Sequence, residues 1–81
     1  MTDYKLKKIL NENTVILSST YGHQLWSKCT LRKNSICEQT RINIPKGSKA
    51  FRPDANSYNR THRISQIGMY NILALVNKRQ A

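Results

Sequence analysis

The sequence predicts an α+β fold in which a small antiparallel sheet of three to five short strands packs on one C-terminal helix. Short apolar runs that alternate with polar residues recur between turn-forming residues over the first two thirds of the chain. A longer apolar stretch with helical spacing occupies the last part. Because 81 residues support only one hydrophobic core, we expect a single small basic domain over residues 1–81.

The first predicted element is a hairpin over residues 4–19. Apolar and cationic residues alternate at its start, and the Asn-Glu-Asn of residues 11–13 separates them from the β-branched residues 14–16. A short amphipathic helix over residues 4–11 is the alternative, because the apolar residues there also have helical spacing.

Residues 18–23 have the composition of a turn, and a strand is predicted over residues 24–31. We expect Leu25, Cys29 and Leu31 to form the half-buried face of that strand because they alternate with polar residues.

The run TRINIPKGSKAFRP, residues 40–53, predicts a second hairpin in which the two strands pair with each other. Ile42 and Ile44 would share one face of the first strand, the residues 45–48 would form the turn, and the return strand would begin at Ala50. Since glycine in this turn permits close backbone approach, we expect the hairpin tip to present a backbone amide and several cations to a phosphate.

A helix is predicted from about residue 60 to residue 78, after a loop rich in Asp, Asn and Ser that can cap it. Gly68 marks either a close approach or a weak point of the helix. Arg60 and Arg63 would lie in the first turn, where the helix dipole disfavours cations, so this helix N-terminus is a candidate phosphate site. The apolar face of the helix would be formed by Ile64, Ile67, Ile72, Leu73, Leu75 and Val76.

Charge is the strongest single feature of the sequence. Fourteen Lys and Arg residues stand against four Asp and Glu residues, a net charge of +10. Residues 28–63 hold nine of these cations but only Glu38 and Asp54, a net of +7. Such a surface repels itself, and a polyanion or an acidic protein patch would relieve the repulsion.

We therefore expect a nucleic-acid-binding regulatory protein that contacts mainly the phosphate backbone. Trp26 and Tyr58 are the candidates for stacking on exposed bases. The alternative is a phage or mobile-element regulator that docks on an acidic surface of a larger host protein, such as a polymerase or nuclease. In either case the predicted contact residues are Arg32, Lys33, Arg41, Lys46, Lys49, Arg52, Arg60 and Arg63.

An enzyme is not predicted. Small basic proteins can cleave RNA with such residue types as His23, His62, Tyr21, Tyr58 and Arg63. No spacing in the sequence guarantees that these residues come together, and the four carboxylates are not paired at a recognisable spacing. We expect no membrane span, because the longest uncharged stretch, residues 64–77, is only 14 residues long. The N-terminal residues lack the apolar run of a signal peptide, which favours a cytoplasmic location.

The cysteines leave three alternatives open: zinc binding, a disulfide, or two free and partly buried thiols, of which free thiols without a cofactor are the prediction. Cys29 and Cys37 lack the close spacing of zinc ligands, and His23 and His62 are the other soft ligands of the chain. The run CEQTRINIPKGSKAFRP resembles the second zinc-knuckle hairpin of small treble-clef or zinc-ribbon proteins of bacteria and phages. That resemblance implies Cys37 and His62 as ligands, with Thr40 at the position of the second knuckle cysteine.

Overall fold

The computed structural model describes the backbone of residues 4–80 and the side chains of residues 4–74. Within this range seven strands are followed by one helix. Their bounds are β1 Lys5–Asn11, β2 Thr14–Ser19, β3 Gly22–Thr30, β4 Ser35–Ile36, β5 Asn43–Ile44, β6 Lys49–Arg52, β7 Ile64–Ser65 and α1 Gln66–Gln80.

Five strands form one antiparallel sheet in the order β1-β2-β3-β6-β7, and β4 and β5 form a separate pair. Helix α1 contacts β1, β6 and β7 and covers the inner face of the five-stranded sheet. The predicted α+β fold with one C-terminal helix is thereby confirmed. Among the described residues, no helix has the length and apolar character that a membrane crossing requires.

The predicted first hairpin is confirmed, and the alternative helix over residues 4–11 is wrong. β1 and β2 pair through a turn at residues 12–13, and β2 continues into β3 through a second turn at residues 20–21. Val15 and Leu17 of β2 are buried on the inner face of the sheet, which explains why the segment is a strand.

The inner face of β3 differs from the prediction. Trp26 pairs with Val15 and is fully buried, so the neighbouring residues Leu25 and Ser27 point to the outer face. Leu25 is accordingly 48% exposed instead of half-buried in the core. Leu31 is buried as expected, but it lies just after the strand.

The turn at residues 45–48 is present, but the pairing predicted around it is wrong. Ser48 N donates to Pro45 O at 3.1 Å, and the φ of Gly47 is 90°, a value that glycine adopts without strain. The strands on either side do not pair with each other: β5 pairs with β4, and β6 pairs with β3 and β7. This central position buries Ala50 and Phe51, which a two-stranded hairpin would leave half exposed.

The helix begins later than predicted. Ile64, in β7, pairs with Phe51 of β6, so the chain stays extended up to Ser65. Ser65 Oγ then accepts a hydrogen bond from Gly68 N at 3.0 Å and caps α1. Arg60 and Arg63 therefore lie before the helix, and the predicted phosphate site on its first turn is wrong.

The helix packs through Met69 and Ile72, which are buried, whereas Ile67 is 71% exposed and does not belong to the predicted apolar face. Leu75 and Val76 lie outside the described side chains. Of the two alternatives at Gly68, the structure shows the close approach, because a Cβ atom there would lie 2.6 Å from Cys37 Sγ.

Candidate nucleic-acid interface

A cleft of about 810 Å³ lies beside β3 and β6, and four cations line it. Arg32 and Lys33 come from the loop after β3, Arg52 from the end of β6, and Arg63 from the residue before β7. None of the described residues that line this cleft is acidic. We call it the cationic cleft; its other lining residues are Cys29, Thr30, Leu31, Ser35 and Thr61.

Backbone carbonyls hold the side chain of Arg63, and strand pairing fixes the backbone of Arg52. Arg63 Nη1 donates to the carbonyl oxygens of Arg60 and His62, both at 2.7 Å, while Arg63 O accepts from Glu38 N at 2.9 Å. Arg52 lies opposite Ser27 in the sheet. Arg52 thus extends from a paired strand, and the guanidinium group of Arg63, already held by two carbonyl oxygens, loses less conformational entropy when an anion binds.

Lys49 lies at the edge of the same cleft. Its Nζ donates to Thr30 Oγ1 at 2.6 Å, and Thr30 is one of the lining residues. The structure therefore brings Arg32, Lys33, Arg52 and Arg63 together and adds Lys49 at the rim.

The other three predicted contact residues, Arg41, Lys46 and Arg60, are exposed but do not line the cleft. Arg41 has a φ of 64°, in the left-handed region, within the turn that follows Cys37.

The amides of the turn at residues 45–48 do not point to a ligand. Lys46 N donates to Asn34 Oδ1 at 2.8 Å, Gly47 N donates to Leu31 O at 2.9 Å, and Ser48 N donates to Pro45 O. The prediction that this turn presents a backbone amide to a phosphate is therefore wrong, because each amide already has a partner within the chain.

The two predicted stacking residues differ in their surroundings. Trp26 has no exposed surface, and its ring packs edge-on against Tyr4 with centroids 4.9 Å apart, so the prediction that it stacks on a base is wrong. Tyr58 is 95% exposed and its ring is accessible to a ligand.

The four soft ligands lie in different places. Cys29 lines the cationic cleft, His23 is exposed on β3, His62 bonds to Tyr4, and Cys37 is fully buried. In the part of the chain that the structure describes, no three His, Cys, Asp or Glu side chains come close enough to hold a metal ion. Neither cysteine forms a disulfide.

Cys37 has a distinct environment beside the helix N-terminus. Its Sγ accepts hydrogen bonds from Ser65 N and Ser65 Oγ at 3.3 Å and from Thr40 N at 3.4 Å. Burial raises the pKa of the Cys37 thiol, but the hydrogen bonds from Ser65 and Thr40 outweigh it, and the pKa lies below its ordinary value. These donors stabilise the charged form of the sulfur.

A polar network inside the fold was not predicted. Asn59 Nδ2 donates to Tyr4 Oη at 2.8 Å and to Gln24 Oε1 at 2.9 Å, and Gln24 Nε2 donates to Asn59 Oδ1 at 2.8 Å. Tyr4 Oη lies 2.9 Å from His62 Nδ1, which is also 3.4 Å from Glu38 Oε1. Burial raises the pKa of Tyr4, so its hydroxyl stays protonated, and it donates a hydrogen bond to His62 Nδ1 in the tautomer in which that nitrogen is an acceptor.

No sequence signal identifies this network in advance, because Asn59 sits in a run of loop-forming residues that are usually exposed. The network anchors the segment 53–63 against Tyr4, the residue before β1, and against Gln24 of β3, and this segment carries part of the wall of the cationic cleft. Of the residues considered for RNA cleavage, Tyr21 and His62 are near each other, with ring centroids 5.9 Å apart.

No family model, no curated protein and no solved structure shows significant similarity to this chain. The function must therefore be argued from the geometry of its own residues.

Proposed function

We propose that this protein binds nucleic acid mainly through the phosphate backbone, with the cationic cleft as its principal contact surface. The observation that carries the proposal is the convergence of four cations on one cleft that has no acidic residue among its described lining residues.

Like charges that are held close together repel each other and destabilise the folded state. An anion bound between them removes this repulsion. Three of the four cations are arginines, whose planar guanidinium group donates two parallel hydrogen bonds to a phosphate. The hydroxyls of Thr30, Ser35 and Thr61 add neutral donors to the same cleft. This combination suits a backbone of successive phosphates better than a single carboxylate.

The number of cations sets the expected dependence on salt. Each phosphate that is neutralised releases counterions and lowers log K by about 0.7 to 0.9 per unit of log salt, so four contacts give a slope of about −3 to −4. We would measure it by fluorescence anisotropy of labelled duplex DNA, single-stranded DNA and RNA from about 50 to 300 mM salt.

The decisive variant is Arg32→Ser with Lys33→Ser, which removes two adjacent cations of the cleft. We expect weaker binding and a salt slope that is shallower by about 1.5. The control is Lys7→Ser with Lys8→Ser, which removes the same charge from adjacent exposed residues on the edge strand β1. If both pairs changed the slope equally, net charge and not the cleft would carry the binding.

If the protein bound none of the three nucleic acids at low salt, the proposal would be wrong. The cleft would then belong to the alternative function, in which it receives an acidic surface of a partner protein.

A further inference from the structure

A second cleft, of about 400 Å³, lies next to the cationic cleft, and Arg52 lines both. One wall comes from the outer face of β3, where the side chains of alternate residues lie in a row: His23, Leu25 and Ser27. The next residue of this row, Cys29, lines the cationic cleft. The other wall is formed by residues 53–57. The two clefts are therefore consecutive along the outer face of the sheet.

The chemistry of the second cleft differs from that of the first. Leu25, Pro53 and Ala55 give it apolar surface, and it holds one carboxylate, Asp54. Asp54 Oδ1 accepts a hydrogen bond from Asn56 N at 2.9 Å, which restrains the carboxylate and leaves it further acceptor capacity. A carboxylate repels phosphate, so a phosphate held by Arg52 stays on the cationic side.

We propose that the second cleft binds the base of a nucleotide whose phosphate contacts Arg52, and that Asp54 accepts a hydrogen bond from an amino group of that base. This inference rests on the proposed function. The volume suits a small, flat, mostly apolar ligand with a few polar edges. Because Arg52 borders both clefts, the phosphate and its own base lie within the span of one nucleotide.

The ligand class that follows is single-stranded nucleic acid. In a duplex the base edges are paired and stacked, so a base reaches a cleft of this kind only when it is splayed out of the strand. Tyr58 follows Ser57, a residue of the cleft wall, and its 95% exposed ring offers a stacking surface for a neighbouring base.

The test compares the binding of oligo(dC) with that of oligo(dU), each of about 12 nucleotides. The two bases have rings of the same size but differ at C4, where cytosine has an amino group and uracil has a carbonyl oxygen. We expect oligo(dC) to bind about fivefold more tightly, the lower end of the discrimination that a base contact provides. The duplex of the same length should bind more weakly than oligo(dC).

The variant Asp54→Asn should abolish this preference and leave binding of oligo(dU) unchanged or tighter, because a repulsive charge is removed. Asparagine retains the oxygen that accepts from Asn56 N, so the turn is preserved. The control is Glu12→Gln, which removes one charge in the turn between β1 and β2 and should leave the preference intact.

A second variant, Tyr58→Ala, should weaken binding of both oligonucleotides about fivefold or more through loss of stacking. Tyr70→Ala is its control, since Tyr70 is also exposed but lies on α1. Equal binding of oligo(dC) and oligo(dU), with the expected salt slope and no effect of Asp54→Asn, would overturn the base site and leave the proposed function standing. Absence of salt-dependent binding to both oligonucleotides would overturn the base site, and the proposed function would fall as well only if duplex DNA and RNA were also unbound.

Discussion

At the scale of single residues, Asn59 links parts of the chain that lie far apart in sequence. It is 1% exposed and bonds to Tyr4, 55 residues away, and to Gln24, 35 residues away. Its amide thereby fixes the segment 53–63, which supplies walls to both clefts. A buried network of this kind stabilises the fold only while every member has its partner.

We expect Asn59→Ala to lower the free energy of unfolding by about 1–3 kcal/mol, because Gln24 loses its buried partner and Tyr4 loses a donor. Urea denaturation measures the change. Asn56→Ala, on the exposed surface of the same loop, should stay within about 0.5 kcal/mol. An equal effect of the two substitutions would contradict a stabilising role of the network.

At the scale of elements, the start of α1 is set by contacts and not by local preference. Ile64 and Ser65 join the sheet beside β6, and the helix then begins over Cys37, with Gly68 in direct approach. A side chain at residue 68 would meet Cys37 Sγ at 2.6 Å and Ile64 Cγ2 at 3.1 Å. The helix therefore depends on a glycine that costs it intrinsic stability.

Gly68→Ala should destabilise the protein by about 1–3 kcal/mol through overpacking, although alanine favours a helix by about 1 kcal/mol over glycine. Combining it with Cys37→Ala removes the nearest clashing atom, so the two substitutions should show a coupling free energy that a double-mutant cycle measures by urea denaturation. Asn71→Ala, on the exposed side of α1, is the control and should be neutral or stabilising. If Gly68→Ala were as favourable as Asn71→Ala, the close contact would not constrain the helix.

These elements show where sequence reasoning succeeds and where it stops. The hairpin of β1 and β2 and the turn at residues 45–48 follow from local patterns, and both are present. The pairing of β6 with β3 is not local, so the pattern of residues 40–53 gave it the wrong partner. Ile64 suits a strand and a helix equally well, and only its pairing with Phe51 decides between them.

For the candidate site, composition predicted the cations but not their arrangement. The four cations of the cationic cleft converge because β3, β6 and β7 are neighbours in the sheet. The sequence does not display this order of the strands. Arg41, Lys46 and Arg60 have the same chemistry and lie elsewhere. Trp26 and Tyr58 were both candidates for stacking, and only burial separates them: Trp26 lies in the core and Tyr58 is exposed.

At the scale of the whole molecule, the net charge of +10 opposes compaction. An anion that binds only the folded chain should therefore stabilise it, and more strongly than simple screening by salt does.

Inorganic polyphosphate at 100 times its Kd should raise the free energy of unfolding by about 2.7 kcal/mol, which corresponds to a rise in Tm of about 10–20 °C. Differential scanning fluorimetry measures this, with NaCl at matched ionic strength as the control. The variant that carries Arg32→Ser and Lys33→Ser should gain clearly less than the wild type. An equal rise in Tm with NaCl would mean that the cationic cleft binds no anion and that salt only screens its charges.

The hydrogen bond between Tyr4 and His62, 58 residues apart, also has a consequence for folding during synthesis. At about 5 to 20 residues per second, roughly 3 to 12 s pass between the translation of these two residues. The β1–β2 hairpin forms within about 10 μs. Throughout the much longer interval, Tyr4, the residue before β1, lacks its partner His62. The buried network therefore cannot close before residue 62 has been made, and α1, which follows it in the chain, packs its Met69 and Ile72 into the core later still.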